Sequence, residues 1–259
     1  MPTEPIEPTD EARRFIKACT QMIVLNPKSA APYTSRGLSY AKLDEHAEAI
    51  EDFTRAIEID PSNTEAYEER GYSYRYLDDY PKAIEDYTKA IDIDPNYAVA
   101  YLWRGVSYHA LGDHAKAIAD YTRAIELDPN DQMAYFLRGE SYAKLGDHTK
   151  AFEDCAQAIN IDPSYTAVVI ADPTHFAVVL FYKQAPEYKV LVVAAKGADL
   201  LAAEIAEIAR EHHIMIVENP PLAGQLYTEV DVGESIPPDM YSAVAEVFAF
   251  VYKAQNKQP

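Results

Sequence analysis

The sequence predicts an all-α helical solenoid followed by a small α/β domain, a four-stranded sheet flanked by helices. Three observations predict it. Prolines recur at 27, 61, 95, 129 and 163, a constant spacing of 34 residues. Between them, each unit carries two stretches of helical spacing with small residues at fixed places. After Pro163 the period stops, and β-branched and apolar runs separated by turns take over. A period of this length marks stacked supersecondary units, each too small to bury its apolar face alone.

Other residues keep the same clock: Gly37, Gly71, Gly105 and Gly139; Arg36, Arg70, Arg104 and Arg138; Tyr40, Tyr74, Tyr108 and Tyr142. Alanines recur at 49, 83, 117 and 151 and again at 56, 90, 124 and 158. Each unit predicts two helices, such as 64–77 and 82–93. Gly71 lets the paired helix approach, Ala83 and Ala90 are small contact points on that partner, and Asp60-Pro61 ends one unit. Residues 10–25 form a lone helix that caps the open end of the stack. Each repeated Arg is placed to pair with an acid on the facing helix, Asp52, Asp86, Asp120 or Asp154. The pattern Tyr-x-x-Arg-Gly-x-x-Tyr with an Asp-Pro stop resembles the tetratricopeptide repeat, with Arg where that repeat often has Leu. The resemblance covers residues 30–165 as four units, after a tail and capping helix over 1–29.

Such a resemblance implies a groove that binds peptides, lined by the first helix of each unit. Its partner-binding candidates are Tyr72, Tyr76, Leu102, Trp103, Val106 and Phe136, with Val99, Glu65 and Glu68 nearby. Packing between repeats is an equal reading for Trp103 and Phe136. The carboxylate-clamp subclass holds a C-terminal carboxylate with Lys and Asn. Here those places carry Thr34, Leu38, Glu68 and Tyr72, which disfavours such a clamp. An aromatic groove with acidic flanks suits an amphipathic or basic helix.

Charge and composition narrow the function. Net charge is −19, with 17 Lys+Arg against 30 Asp+Glu up to Pro163 and 6 against 12 after it. Both halves repel phosphate, so nucleic acid is not an expected partner. The apolar runs, Phe176–Tyr182 and Val190–Ala195 among them, are far below the roughly 20 residues a membrane span needs. The acidic, Pro-rich N-terminus has no signal-peptide core. Two cysteines, Cys19 and Cys155, imply no disulfide framework and a cytoplasmic setting. His212-His213 is not a metal site, because adjacent residues point apart. No metal and no cofactor are expected.

In residues 166–259, strands are predicted over Thr166–Ala171, His175–Tyr182, Val190–Ala194 and Ile214–Val217. Helices are predicted over Asp199–Glu211, Pro221–Tyr227 and Pro238–Tyr252. Asp172-Pro173-Thr174-His175 is the turn between the first two strands. Only Ser164 and Tyr165 separate Pro163 from the first strand, so the last repeat is expected to pack on this domain. Lys196-Gly197 opens a helix, a weak anion-binding signal better read as a helix-start Gly.

The ordered motifs are Pro173-Thr174-His175, Lys196-Gly197-Ala198-Asp199, Glu218-Asn219-Pro220-Pro221-Leu222-Ala223 and Ile236-Pro237-Pro238. They resemble the cytoplasmic domain of the flagellar and type III secretion export switch family (FlhB and YscU), over Thr166–Tyr252. The family resemblance implies an N-terminal membrane domain, which the repeats replace here. It also implies self-cleavage between Asn and Pro of an Asn-Pro-Thr-His turn, in which the Asn amide attacks its own main-chain carbonyl. Asp172 stands in place of that Asn and has no amide nitrogen. An Asp near its reference pKa of about 3.9 is a carboxylate at pH 7. Asp172, Pro173, Thr174 and His175 are thus cleavage-loop equivalents, with slow or absent cutting at neutral pH.

The resulting expectation is an interaction factor of type III protein export, flagellar or injectisome. Its repeats take a protein partner: an export apparatus component, a secretion substrate or a chaperone. Its second domain docks peripherally at the export gate. The alternatives are an autocleaving switch cut between Asp172 and Pro173, or a repeat scaffold unrelated to secretion.

Overall fold

The computed structural model describes residues 8–162, 165–184 and 189–255. Pro163 and Ser164 at the junction, and residues 1–7 of the N-terminal tail, lie outside them. The chain forms two compact units, one through Arg123 and one from Ala124.

The first unit holds α1 (Pro8–Leu25), α2 (Ala31–Ala41), α3 (His46–Ile59), α4 (Thr64–Tyr76), α5 (Tyr80–Ile93), α6 (Ala98–Ala110) and most of α7 (His114–Leu127). α2 packs on α3 and α4 on α5, and α3 and α5 each pack on the next helix. The predicted helix over 82–93 starts earlier, at Tyr80, because the Asp79 side chain accepts from the Lys82 amide and caps it. Between paired helices the backbone turns left-handed at one phase of the repeat. Asp44 and Asp78 take φ of 59° there, and Gly112 takes 79°. Gly71 has a different task, since a Cβ there would sit 3.0 Å from the buried Tyr87 ring.

Buried charge ties the helices together. Arg36 donates to both carboxylate oxygens of Asp52 at 2.7 Å. Arg70 meets Asp86 and Arg104 meets Asp120 in the same fork at 2.7–2.8 Å. The free amino group of each guanidinium donates to a threonine on the preceding helix: Thr20, Thr54 and Thr88 respectively. The predicted pairing therefore exists, and each Arg also bridges to the unit before it. α1 carries Thr20 at the phase of Thr54 and Thr88 and packs on α2. It therefore stands to α2 as the second helix of each unit stands to the next first helix.

The second unit contains α8 (Gln132–Lys144), α9 (His148–Ile161), β1 (Tyr165–Asp172), β2 (Phe176–Gln184), β3 (Lys189–Ala198), α10 (Leu200–Glu211), β4 (Met215–Glu218), α11 (Pro220–Glu229) and α12 (Tyr241–Gln255). Strand order is β3-β2-β1-β4, with β1 antiparallel to β2, β2 antiparallel to β3, and β1 parallel to β4. The third strand runs past its predicted end at Ala194, through a register shift opposite Val179 and Leu180. The predicted helix at Pro221 begins one residue earlier, since the Asn219 side chain accepts from the Leu222 amide. The last helix divides into a 3-10 turn at Pro238–Met240 and α12.

Both faces of the sheet are covered. Val168, Ile170, Val178 and Leu180 point to α11 and α12. Ala167, Val169, Ala177, Val179 and Phe181 point to the opposite side, where α10 and α9 cover them. α9 thus has two roles. It pairs with α8 through Arg138, which donates to Asp154 at 2.7–2.8 Å, and it also forms a layer on the sheet. Three residues adapt it. Cys155 replaces the aromatic found at 53, 87 and 121, Phe152 replaces the Ile found at 50, 84 and 118, and Ala156 replaces the Thr found at 20, 54, 88 and 122. All three are buried against the sheet cluster. Burial pushes the Cys155 thiol well above its ordinary value.

Two outcomes follow from this packing. Arg70→Ala leaves the Asp86 carboxylate buried and unpaired, and is expected to cost about 3–5 kcal/mol in urea unfolding. Arg70→Met with Asp86→Leu is expected to restore most of that loss. In the second unit, Glu140 of α8 is half-buried against β3, beside Phe136, Cys155 and Val193. Burial raises its carboxyl to about 7, and Lys144 opposes the shift. The folded state then holds a proton that the unfolded chain has released between the ordinary carboxyl value and 7. Stability contributed at this site is therefore expected to fall as pH rises through that window. Melting temperatures from pH 5 to 8 check this, and Glu140→Gln is expected to flatten the slope.

Candidate functional site

The loop Asp172–His175 closes the β1–β2 hairpin, with Asp172 and Phe176 as the last cross-strand pair. Its shape comes from Asp172, whose Oδ1 accepts from the Thr174 amide at 2.9 Å and from the Thr174 hydroxyl at 2.7 Å. This is an Asx turn, which an Asp or Asn side chain forms with the backbone two residues on. His175 places Nδ1 2.6 Å from Thr174 Oγ1 and 3.6 Å from Asp172 Oδ2. The Asp199 amide donates to the His175 carbonyl at 2.8 Å, fastening the loop to the start of α10. A cleft of about 250 Å³ lies beside it, lined by Pro173, His175, Asp199, Arg210 and Glu218.

The Thr174 amide and hydroxyl hold the Asp172 carboxyl below the ordinary carboxylate range, with the nearby His175 adding to the effect. A carboxylate in this position offers oxygen and no nitrogen. Cyclic imide formation needs a side-chain nitrogen attacking the main-chain carbonyl, and Asp172 has none.

Lys196 is committed elsewhere. Its ammonium donates to the carbonyls of Tyr227 and Val230 at 3.0 and 2.9 Å and meets Asp231 at 3.1 Å, tying down the end of α11. Gly197 serves packing, since a Cβ there would lie 2.6 Å from Leu201. His212 Nδ1 lies 3.0 Å from the Asn160 side chain. Among the described residues no His, Cys, Asp or Glu cluster could hold a metal.

A second feature was not anticipated from the sequence. Tyr182, Leu191, Ile236, Tyr241, Val244 and Phe248 line an apolar groove of about 860 Å³ on the α12 side of the sheet. Tyr182 and Phe248 place their ring centres 5.7 Å apart within it. The signal is present in α12, which is apolar on more than one face. Val247 and Val251 enter the core while Tyr241 and Tyr252 remain partly exposed. A helix that is apolar most of the way round covers more than one surface.

In the first unit the partner-binding candidates fall into two groups. Tyr72, Trp103 and Val106 are half-buried and Tyr76 is exposed. Tyr72 meets Trp103 edge to face at 6.4 Å, and the Arg75 guanidinium lies 5.0 Å over Tyr72 and 4.7 Å over Trp103. Tyr76 stacks on the buried His46 ring at 3.9 Å. Leu102, by contrast, is buried. In the second unit, Phe136 stacks on Phe181 of β2 at 4.8 Å. The chain's own packing takes up both side chains, because a large apolar group beside a buried neighbour fills space that a partner would need.

Comparison with known proteins agrees with both halves. Residues 162–251 match the model of the FlhB HrpN YscU SpaS family. Tetratricopeptide repeat models match residues 30–63, 71–112, 98–131 and 120–153. The flagellar biosynthetic protein FlhB of Helicobacter pylori is 47% identical over 91 residues, covering 35% of this chain and 25% of the relative. FlhB of Bacillus subtilis is 41% identical over 90 residues, with the same coverage. The chain thus spans about a quarter of the length of these curated relatives. Among solved structures, MamA aligns with 25% identity and a TM-score of 0.56, over 61% of this chain and 96% of its own. YrrB, described as a TPR protein with an unusual peptide-binding site, aligns with 26% identity and a TM-score of 0.53, over 57% of this chain and 77% of its own. The chain therefore joins a tetratricopeptide-repeat array to a domain of the FlhB and YscU family.

Proposed function

We propose that this protein is an interaction factor of type III protein export whose repeats hold a protein partner while its FlhB-like domain docks on the export apparatus. The observation that carries this reading is the joining itself. A repeat array of the kind that binds peptides precedes a domain of an export family, and the switch loop of that domain lacks its nucleophilic nitrogen. The apolar groove beside Phe248 is the surface on which the domain would meet the apparatus or an exported chain. No helix among the described residues is long and apolar enough to cross a membrane. We place the protein in the cytoplasm, at the periphery of the export gate.

The autocleaving alternative makes a distinct claim, a cut between Asp172 and Pro173. Freshly purified protein at neutral pH is expected to run as one full-length band in denaturing electrophoresis. Conversion to fragments of 172 and 87 residues would favour self-processing instead. Asp172→Asn restores the amide nitrogen while keeping the turn, and is expected to produce those fragments.

Pull-down from the native host tests the interaction reading. Export apparatus components or secreted subunits are expected in the bound fraction. Trp103→Ala with Tyr76→Ala is expected to deplete the partner of the repeats, and Tyr241→Asp, at an exposed residue of the groove, the partner of the second domain. Recovery of proteins unrelated to export, with neither variant having an effect, would favour a general scaffold.

A further inference from the structure

We infer that Arg75 of α4 is an anion seat in the groove of the first unit, and that it receives a single Asp or Glu side chain carried on an apolar stretch of the partner. The inference rests on the reading that the repeats hold a protein, and it specifies that partner's chemistry.

Arg75 stands outside the frame of the repeat. The arginines of that frame, Arg36, Arg70 and Arg104, each fork onto an aspartate of the facing helix. The places equivalent to 75 in the other units hold Ala41, His109 and Ala143. Trp103, the one tryptophan of the chain, is also alone in its phase, where the other units hold Ser35, Glu69 and Leu137. These two departures from the repeat meet in space. The Arg75 guanidinium lies 4.7 Å from the centre of the Trp103 ring and 5.0 Å from that of Tyr72.

The charge placed there is not neutralised within the chain. Arg75 is half-buried, it makes no ion pair among the described residues, and its Nε is buried without a hydrogen bond. The ionisable groups on which it acts include His46, Tyr80 and Tyr87, and none of these is an anion at neutral pH. The Tyr87 phenol beside it is fully buried and has no hydrogen bond of ordinary geometry. The acids of the neighbourhood are engaged or distant. Glu68 accepts from the Tyr97 hydroxyl and stands seven residues before Arg75, about 10 Å along the helix axis. Asp78 accepts from the Tyr80 hydroxyl at 2.8 Å, and Asp79 pairs with Lys82 at 2.6 Å.

The surroundings select what can enter. A guanidinium stacked on aromatic rings keeps its N–H groups in its own plane, and a carboxylate accepts from them in pairs. The rings on either side favour apolar side chains next to that carboxylate. The exposed acids Asp44 and Glu65 repel a partner rich in acid. One carboxylate within an otherwise uncharged segment therefore fits, and a polyacidic tail does not. The places that hold a chain terminus in carboxylate clamps carry Thr34, Leu38, Glu68 and Tyr72, so the carboxylate assigned to Arg75 is a side chain.

The test uses the full-length protein at about 0.15 M salt, where the long-range field of the acidic chain is screened. The probe is the acetylated, amidated peptide SQLLAELLNQS, with counterparts carrying Gln or Lys in place of Glu. Affinity is read by isothermal titration calorimetry, and place by the emission of Trp103, which reports from the seat alone. The Glu peptide is expected to shift that emission and to bind about tenfold tighter than the Gln peptide, the scale of a charge-assisted hydrogen-bonded pair. R75Q is expected to abolish the preference, and R55Q, an equal charge change at an exposed arginine, to keep it. R75E is expected to reverse the preference in favour of the Lys peptide, which a variant that merely failed to fold would not do. Equal loss of preference in R75Q and R55Q would overturn the seat in favour of general charge attraction. A Gln peptide with a free C-terminal carboxylate that binds as tightly as the Glu peptide would overturn the side-chain assignment in favour of a chain terminus. Equal binding of the Glu and Gln peptides, with Trp103 responding to both, would overturn the seat and leave the groove reading standing. No response of Trp103 to any peptide would overturn the seat, and a pull-down indifferent to W103A with Y76A would overturn the groove reading as well.

Discussion

The repeat array depends on one interaction, the fork between a buried arginine and aspartate on paired helices. Its geometry is two parallel donations at 2.7–2.8 Å. The energy of such a pair against apolar side chains is modest, because both charges must leave water. Its specificity is greater. A planar guanidinium accepts few arrangements of its two carboxylate oxygens, and the remaining amino group must also find a threonine one helix earlier. Each Arg therefore fixes the spacing of three helices. The alanines and the glycine–aromatic contacts then fill the space that this spacing leaves.

Much of this was legible because it repeats. Arg36, Arg70 and Arg104 recur in phase with Asp52, Asp86 and Asp120, so the constant offset exposes the pairing. The second task of α9 was less legible, since it keeps most of the repeat signature. Its distinguishing residues, Phe152, Cys155 and Ala156, look like ordinary variation until the sheet is seen against them. Glu140 was also hidden. In sequence it is one acid after Gly139, and its half-burial comes from Cys155 of α9 and Val193 of β3 beside it. The groove along α12 escaped for the opposite reason. An uninterrupted apolar helix reads as core, and nothing local marks which face stays open.

The Asp172–His175 loop separates conformation from imide chemistry. Asp172 Oδ1 makes both bonds that shape the turn, and an asparagine Oδ1 could make the same two. The other side-chain atom is where the residues differ, nitrogen in one and oxygen in the other. Replacing Asn by Asp therefore leaves the hairpin, its tie to Asp199 and its adjoining cleft intact while removing the atom that imide chemistry requires.

Ala156 carries a consequence for how such a chain can change length. Every earlier second helix of the array offers a threonine hydroxyl at this phase, and a following unit can dock its arginine there. The last helix offers a methyl group that is already covered by the sheet. An extra unit appended after it would bring a charged side chain with no acceptor and no room. Duplication of a middle segment meets no such obstacle, since both of its ends carry matching halves of the joint. The array can therefore grow from within while its two ends stay as they are.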